Sequence, residues 1–248
     1  MTLSNGSTEN AQLYATSPAH RDTSDLEGAL EHLGDPDGWE VLDVATGTGH
    51  AAFFFSRKQA HVFAIDIRQE MLEVAQEEAD RLSLSCRFLK GSAEDLPFDD
   101  ESFDLLTCRL AAHHFSDLDR FLQEARRVLR PDGRLLLIDN IVPAGSVGRW
   151  INDFEQRRDP SHVAYLSKDA WGQLLAKHGF RPLHSQELPH QLNFDLWMDR
   201  MSVNAPDKDE AWEKLKAAPS EVQEFLQPSH DKNRTLTLHR LVTLVGRD

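Results

Sequence analysis

Glu40-Val41-Leu42-Asp43-Val44-Ala45-Thr46-Gly47-Thr48-Gly49-His50 reads as a buried strand that runs straight into a glycine-bearing turn, with a helix starting near Gly49. Val41, Leu42 and Val44 are the β-branched or bulky apolar residues that a strand covered on both faces requires. Asp43 breaks the pattern, because a carboxylate inside an apolar strand is costly unless something pairs with it. Gly47 and Gly49 remove Cβ atoms where the chain must turn tightly and where a ligand can approach the backbone. The helix that follows presents unpaired N–H groups toward such a ligand.

The next apolar run, His61-Val62-Phe63-Ala64-Ile65, ends in Asp66. An acid closing the second strand of a βαβ unit is placed to accept both hydrogen bonds of a ribose diol. Strand, Gly-x-Gly, helix, strand and acid in that order point to a nucleoside-containing cofactor, which Gly-x-Gly alone would not. The alternative is an ordinary βα turn with Asp66 as the N-cap of a helix over Gln69-Glu70-Met71.

These residues resemble the class I S-adenosylmethionine-dependent methyltransferases, and within them the UbiE-like branch (methyltransferase type 11), which includes the quinone-biosynthesis C-methyltransferases. The resemblance covers about Tyr14 to Phe180 and runs more loosely beyond. Asp43-Val44-Ala45-Thr46-Gly47-Thr48-Gly49 carries it, with Ala45 where the usual first glycine stands. It implies an α/β fold: a Rossmann-like, doubly wound, mainly parallel seven-stranded sheet with a helical cap. It also implies S-adenosyl-L-methionine as cofactor, held by Asp43, Ala45, Thr46, Gly47, Gly49, Asp66 and Ile67. Met71 stands where the family packs an apolar side chain on adenine, though methionine also fills core gaps anywhere. Gly91-Ser92-Ala93-Glu94-Asp95 is similar to the loop that receives the adenine amino group. Ser92 there replaces the usual Asp, a neutral acceptor weaker than a carboxylate that Glu94 could supplement. Arg109 and Leu110, at the end of the fourth strand, complete the implied cofactor wall.

Residues 1–12 are polar and read as a mobile tail. Residues 13–248 then form one methyltransferase domain, in which the resemblance makes 13–34 a lid over the cofactor. Tyr14 and His20 become candidates to touch the ligands, with simple packing as the rival role for Tyr14. Cap insertions are expected over about 141–166 and 192–233, the second suggested by Trp197, Met198 and Met201. A helix over Gln69 to Leu82 puts Met71, Leu72, Ala75 and Ala79 on one stripe. The third strand, near Cys86 to Lys90, and the fourth, Phe103 to Cys108, read as buried. A fifth covers Arg134 to Asn140, after Pro131-Asp132-Gly133 ends a helix by turn chemistry. Two closing strands follow, a short one from Phe180 towards Leu183 and a last one over Thr235 to Val245.

The fourth strand opens into Arg109-Leu110-Ala111-Ala112-His113-His114. Ligands in open α/β sheets lie beyond the carboxyl ends of the strands, where strand order reverses. His113 and His114 therefore arrive where a methyl acceptor should be, as a general base, as substrate orienters or as backbone-bonded structural groups. Metal binding ranks last, because adjacent histidines diverge and no third ligand follows at a recognisable spacing. Arg157-Arg158-Asp159-Pro160-Ser161-His162 is richer in donors than a linker needs. It is similar to the Arg-Asp-x-Ser-His loops of UbiE-like relatives, and that resemblance makes Arg158, Asp159 and His162 pocket candidates, with a salt-bridged surface turn as the alternative. Catalytic candidates are His113 and His114, then His20 and His162.

A formal charge of −14, from 27 basic and 41 acidic residues, disfavours nucleic acid and anionic membranes as partners. Cys86 and Cys108 fit reduced thiols in separate strands. No apolar run reaches membrane-spanning length and no signal-peptide pattern opens the chain, so a cytoplasmic monomer or homodimer is expected. Trp150, Phe154 and Trp197 suggest a small apolar or aromatic acceptor. Two rivals stand beside methyl transfer. One is an NAD(P)-dependent oxidoreductase, since Gly47-x-Gly49-x-x-Ala52 with Asp66 also fits a dinucleotide fingerprint. The other is a non-catalytic S-adenosylmethionine-binding module.

Overall fold

In the computed structural model, which describes residues 8–17, 21–201 and 205–248, alternate residues of the first strand feed two separate layers. Leu42 and Val44 of β1 (Glu40–Val44) join one apolar cluster, and Val41 joins another. That division is the period of two that strand geometry imposes. On one face lie α5 (Leu118–Val128) and α7 (Lys168–Lys177), through Phe121, Leu122 and Trp171. The other face receives α2 (Ser24–Leu33) and α3 (His50–Ser56), through Leu26, Ala52 and Phe55.

The sheet order is β3-β2-β1-β4-β5-β8-β6, with the short β7 (Ser229–His230) paired to β8. β2 (His61–Asp66), β3 (Cys86–Lys90), β4 (Phe103–Arg109) and β5 (Leu129–Ile141) run parallel to β1. β8 (Arg234–Arg247) lies antiparallel between β5 and β6 (Phe180–Asn193). The fold is therefore the doubly wound α/β class, with β7 as an eighth strand beyond the seven expected. Order reverses between β1 and β4, which opens the crevice at their carboxyl ends.

Several expected boundaries shift. Residues 8–12, expected in the tail, begin α1 (Thr8–Thr16), and Ala11 packs against Met71 and Val74 of α4 (Gln69–Leu82); residues 1–7 lie outside those described. β3 is an edge strand and mostly exposed, so Cys86 is half-buried while Cys108 is fully buried. α5 ends at Val128, not at Pro131-Asp132-Gly133, because Leu129 already pairs with Phe103 ahead of a bulge. β6 runs ten residues past Leu183, with Pro182 and Pro189 tolerated because it is the sheet's other edge.

A separate cluster unites α6 (Ser146–Arg158), α8 (Phe194–Asp199), α9 (Ala205–Lys216) and α10 (Ser220–Leu226), through Ile151, Phe154, Trp197, Leu215 and Val222. Among the described residues no helix is long and apolar enough to cross a membrane.

Candidate active site

Asp43 is 1% exposed, and its neighbours explain how the strand tolerates it. Thr46 Oγ1 donates to it at 2.6 Å and Thr107 Oγ1 at 2.7 Å. Thr107 stands beside it in register on β4. Hydroxyls compensate a buried charge only in part, and burial pushes the Asp43 carboxyl up to about 6. The folded chain thus holds this proton more tightly than the unfolded chain. Its contribution to stability is complete below about pH 4 and is lost as pH rises through about 6, on the order of 3 kcal/mol. Asp43→Asn should flatten that fall in urea unfolding between these pH values. An unchanged slope would place the proton elsewhere.

Asp66 closes β2 with both oxygens engaged by backbone. Gly47 N–H donates to Oδ2 at 2.8 Å and Arg68 N–H to Oδ1 at 2.9 Å. It does not cap α4, whose N-cap is Arg68. These bonds tie the glycine turn to the tip of β2, and each oxygen keeps acceptor capacity. Ala45 and Leu110 follow β1 and β4, and both are left-handed with φ 54. Non-glycine residues adopt that conformation at a cost of roughly 1–2 kcal/mol, and such strain collects at functional sites.

A cavity of about 400 Å³ opens here. Its wall includes Tyr14, Asp43, Ala45, Thr46, Gly47, Asp66, Ile67, Met71, Ser92, Ala93, Glu94, Arg109, Leu110 and His114. Gly49 is not on it. At φ 89 it is the left-handed N-cap of α3, and a Cβ there would come within 2.6 Å of the Phe53 ring. Glu94 reaches the wall, but its Oε1 accepts from Ser116 Oγ at 2.9 Å and Asp117 N at 2.7 Å. The Ser92 hydroxyl accepts from Glu94 N at 3.2 Å. Residues not singled out as site candidates from the sequence also line the cavity, notably His50, Phe115, Ser161 and Met201. The buried Nε2 of His50 has no hydrogen-bond partner among the described residues.

Arg109 reaches the wall as part of a buried cluster. Its Nε lies 3.0 Å from Asp25 Oδ1 on α2, and Arg240 Nη1 lies 3.1 Å from Asp25 Oδ2. One carboxylate thus ties α2 to β4 and β8. Removing one partner of a buried ion cluster is far costlier than its net worth. Asp25→Ala should therefore destabilise the fold by about 3–5 kcal/mol in chemical denaturation. A loss below about 1 kcal/mol, as for exposed pairs, would refute the clamp.

A smaller chamber of about 50 Å³ adjoins the first, sharing Tyr14, Leu110 and His114. His113 lines only this inner chamber. Asp139 Oδ1 lies 2.6 Å from His113 Nδ1, and Asp139 also accepts from the backbone N–H of His113 and of Asn140. A carboxylate at Nδ1 fixes the proton there and leaves Nε2 as the ring's acceptor. His114 Nδ1 faces the Ser161 carbonyl at 3.0 Å, and burial with the neighbouring His113 brings its pKa down to about 4.

The loop after α6 divides. Arg158 and Asp159 line the inner chamber; His162 lines neither cavity. His162 Nε2 bonds Asn152 Oδ1 at 2.8 Å, and burial lowers its pKa to about 3, so it holds the loop to α6. His20 lies outside the described residues. Trp150 and Phe154 stack at 5.3 Å in the separate helical cluster, and only Trp197 of the three aromatic candidates reaches the chamber. Of those three aromatic residues, the expected apolar or aromatic acceptor keeps Trp197 as a wall contact. Tyr165, His190, Arg200 and Arg240 also line the chamber, with Asn140, Leu192 and Leu238.

Comparison with known proteins places this geometry. The family model described as "Methyltransferase domain" matches residues 42–137. The uncharacterized methyltransferase YcgJ of Bacillus subtilis is 34% identical over 220 residues, 87% of this chain and 86% of its own. Its crystal structure superposes with a TM-score of 0.82 at 30% identity, covering 90% of this chain and 98% of that one. A solved structure from Bacillus halodurans C-125 gives a TM-score of 0.84 at 32% identity, with 90% and 98% covered. The ubiquinone/menaquinone biosynthesis C-methyltransferase UbiE of Brucella anthropi is 44% identical over 107 residues, 41% of each chain. A likeness to YcgJ that runs through nearly the whole of both chains is one of family as well as fold, and this chain belongs to the methyltransferases.

Proposed function

We propose that the protein transfers a methyl group from S-adenosylmethionine to a small-molecule acceptor held in the inner chamber. The observation that carries this reading is the junction of the two cavities. The larger lies against the glycine turn and Asp66, and the smaller presents an imidazole backed by a carboxylate. When bound, the cofactor supplies a methyl group already activated on a sulfonium sulfur.

The chain's own residues then bind, orient and exclude water. Asp66 would accept from the ribose hydroxyls with the lone pairs that Gly47 and Arg68 leave over. Met71, Ile67 and Ala93 would cover the adenine, with Ser92 as its polar neighbour. Asp43, Thr46 and the Nε2 of His50 would face the amino-acid end. His113, oriented by Asp139, would take a proton from an acceptor that must lose one. His114, with its low pKa, would remain neutral and position the acceptor. Residues 13–34 would serve as a lid and 141–166 with 192–233 as a cap. The Tyr14 hydroxyl, 3.5 Å from Met201 Sδ, supports that closure. The partial match to UbiE supports placement near that branch. The acidic charge supports a cytoplasmic enzyme that does not act on nucleic acid.

Calorimetry of the full chain with S-adenosylhomocysteine and with NAD separates this reading from its main rival. Binding of the first alone is expected, and binding of NAD alone would reverse the assignment. A metabolite screen that follows S-adenosylhomocysteine release then tests turnover, and tight binding without turnover on any acceptor would favour a non-catalytic module.

A further inference from the structure

The inner chamber is more basic than an apolar acceptor needs. Arg158, Arg200 and Arg240 line it together with His113, His114 and His190, against one lining carboxylate, Asp159. The acids of this region are already engaged, two of them by the chamber arginines themselves. Asp159 Oδ1 accepts from Ser161 N at 2.9 Å and Ser161 Oγ at 2.6 Å within its own loop. Glu155 sits behind Arg158 at 2.9 Å. Asp25 is divided between Arg240 and Arg109.

The basic groups also act against one another. Burial first, then the charge of Arg158, brings Arg200 down to about 10. Burial and the charge of Arg240 bring His190 down to about 4. Arg240 is lowered by burial and by Arg109, with Asp25 opposing. A negative charge beside Arg200 and Arg240 offsets the repulsion from their basic neighbours.

Size narrows the choice of anion. A cavity of about 50 Å³ has room for about three or four waters on this measure. That suits a carboxylate with a carbon or two and excludes a second ring. Planar guanidinium groups match a carboxylate's two oxygens with paired donors. Trp197, on the same wall, offers an apolar surface to the adjoining carbons, and Arg158 lies 4.2 Å from its ring centroid.

We propose that the methyl acceptor is an organic acid whose ionised carboxylate sits among Arg158, Arg200 and Arg240, with its nucleophilic atom turned toward His113 and the larger cavity. This rests on the methyl-transfer reading, and the test keeps the two apart. The full chain is first titrated with S-adenosylhomocysteine by calorimetry. The loaded protein is then titrated with acetate and with acetamide, in a sulfonate buffer at constant ionic strength, following the arginine Nε–H resonances by NMR. The two probes have nearly the same shape and differ in charge. Acetate is expected to bind at least ten-fold more tightly, with shifts confined to the chamber arginines, and Arg200→Met to reduce that preference to less than three-fold. Equal affinity for acetate and acetamide in the loaded protein overturns the carboxylate assignment and leaves methyl transfer standing. Failure of S-adenosylhomocysteine to bind overturns both. Should Arg200→Met not fold, the comparison of the two probes on the unaltered chain decides by itself.

Discussion

His113→Gln is expected to lower the methyl-transfer rate by roughly 10²–10⁴-fold, the usual worth of a positioned general base, while S-adenosylhomocysteine affinity stays within about two-fold. The selectivity follows from where His113 lies. It lines the inner chamber and not the larger cavity, and Asp139 holds its Nδ1 at 2.6 Å. His114 touches both cavities but, with a pKa brought down to about 4 by burial, is a much weaker base.

Asp139 acts through His113 as a positioning residue. Asp139→Asn should reduce kcat with little change in KM and displace the pH profile of the rate, because the amide no longer fixes the imidazole proton on Nδ1. A purely structural Asp139 would move stability and leave the pH profile in place. Full activity in His113→Gln would mean that the acceptor arrives already ionised, and would remove the base from the mechanism.

Asp66→Ala has the second large effect, on binding. Loss of charge-assisted hydrogen bonds to the ribose should weaken cofactor affinity by about 1.5–3 kcal/mol, roughly ten- to more than a hundred-fold, read by calorimetry. Two backbone donors, Gly47 N–H and Arg68 N–H, also lose their acceptor, so the glycine turn loosens as the contact disappears. Asp66→Asn separates these contributions. Its single carbonyl oxygen can serve one of the backbone donors, while its amide nitrogen meets the other donor to donor. It should therefore recover little affinity. Wild-type affinity in either variant would show that the carboxylate holds the loop and nothing else.

The first half of the site was legible because its signals are local. Strand, turn and helix follow one another over Glu40 to Ser56, and Asp66 ends the next strand, so each role can be read from contiguous residues. Asp43 declared itself as a charge in an apolar run, and its threonine partners sit three residues along the chain and beside it in register. Arg240 carries the same kind of signal, a charge within Leu236 to Val245, which the strand assignment passed over. The acceptor side was harder to read. β6 contains two prolines and mostly polar residues, so its pattern fades after Leu183 although the strand continues to Asn193. His190 and Arg240 reach the chamber only because that long edge strand pairs with β8 across the end of the crevice.

The amino-acid order alone determined the first strands, the glycine turn and the acid that ends β2, since apolar periodicity and turn chemistry act over a few neighbouring residues, while the doubly wound order of the sheet followed from the family resemblance. It put His113 and His114 ahead of His20 and His162, and it did not separate the first two. Only tertiary packing gave His113 a carboxylate and His162 an amide, and only packing brought Asp25 to Arg240 from 215 residues away. A side chain's partner sets its protonation and its freedom to act, and partners that distant are chosen by how the layers close on one another.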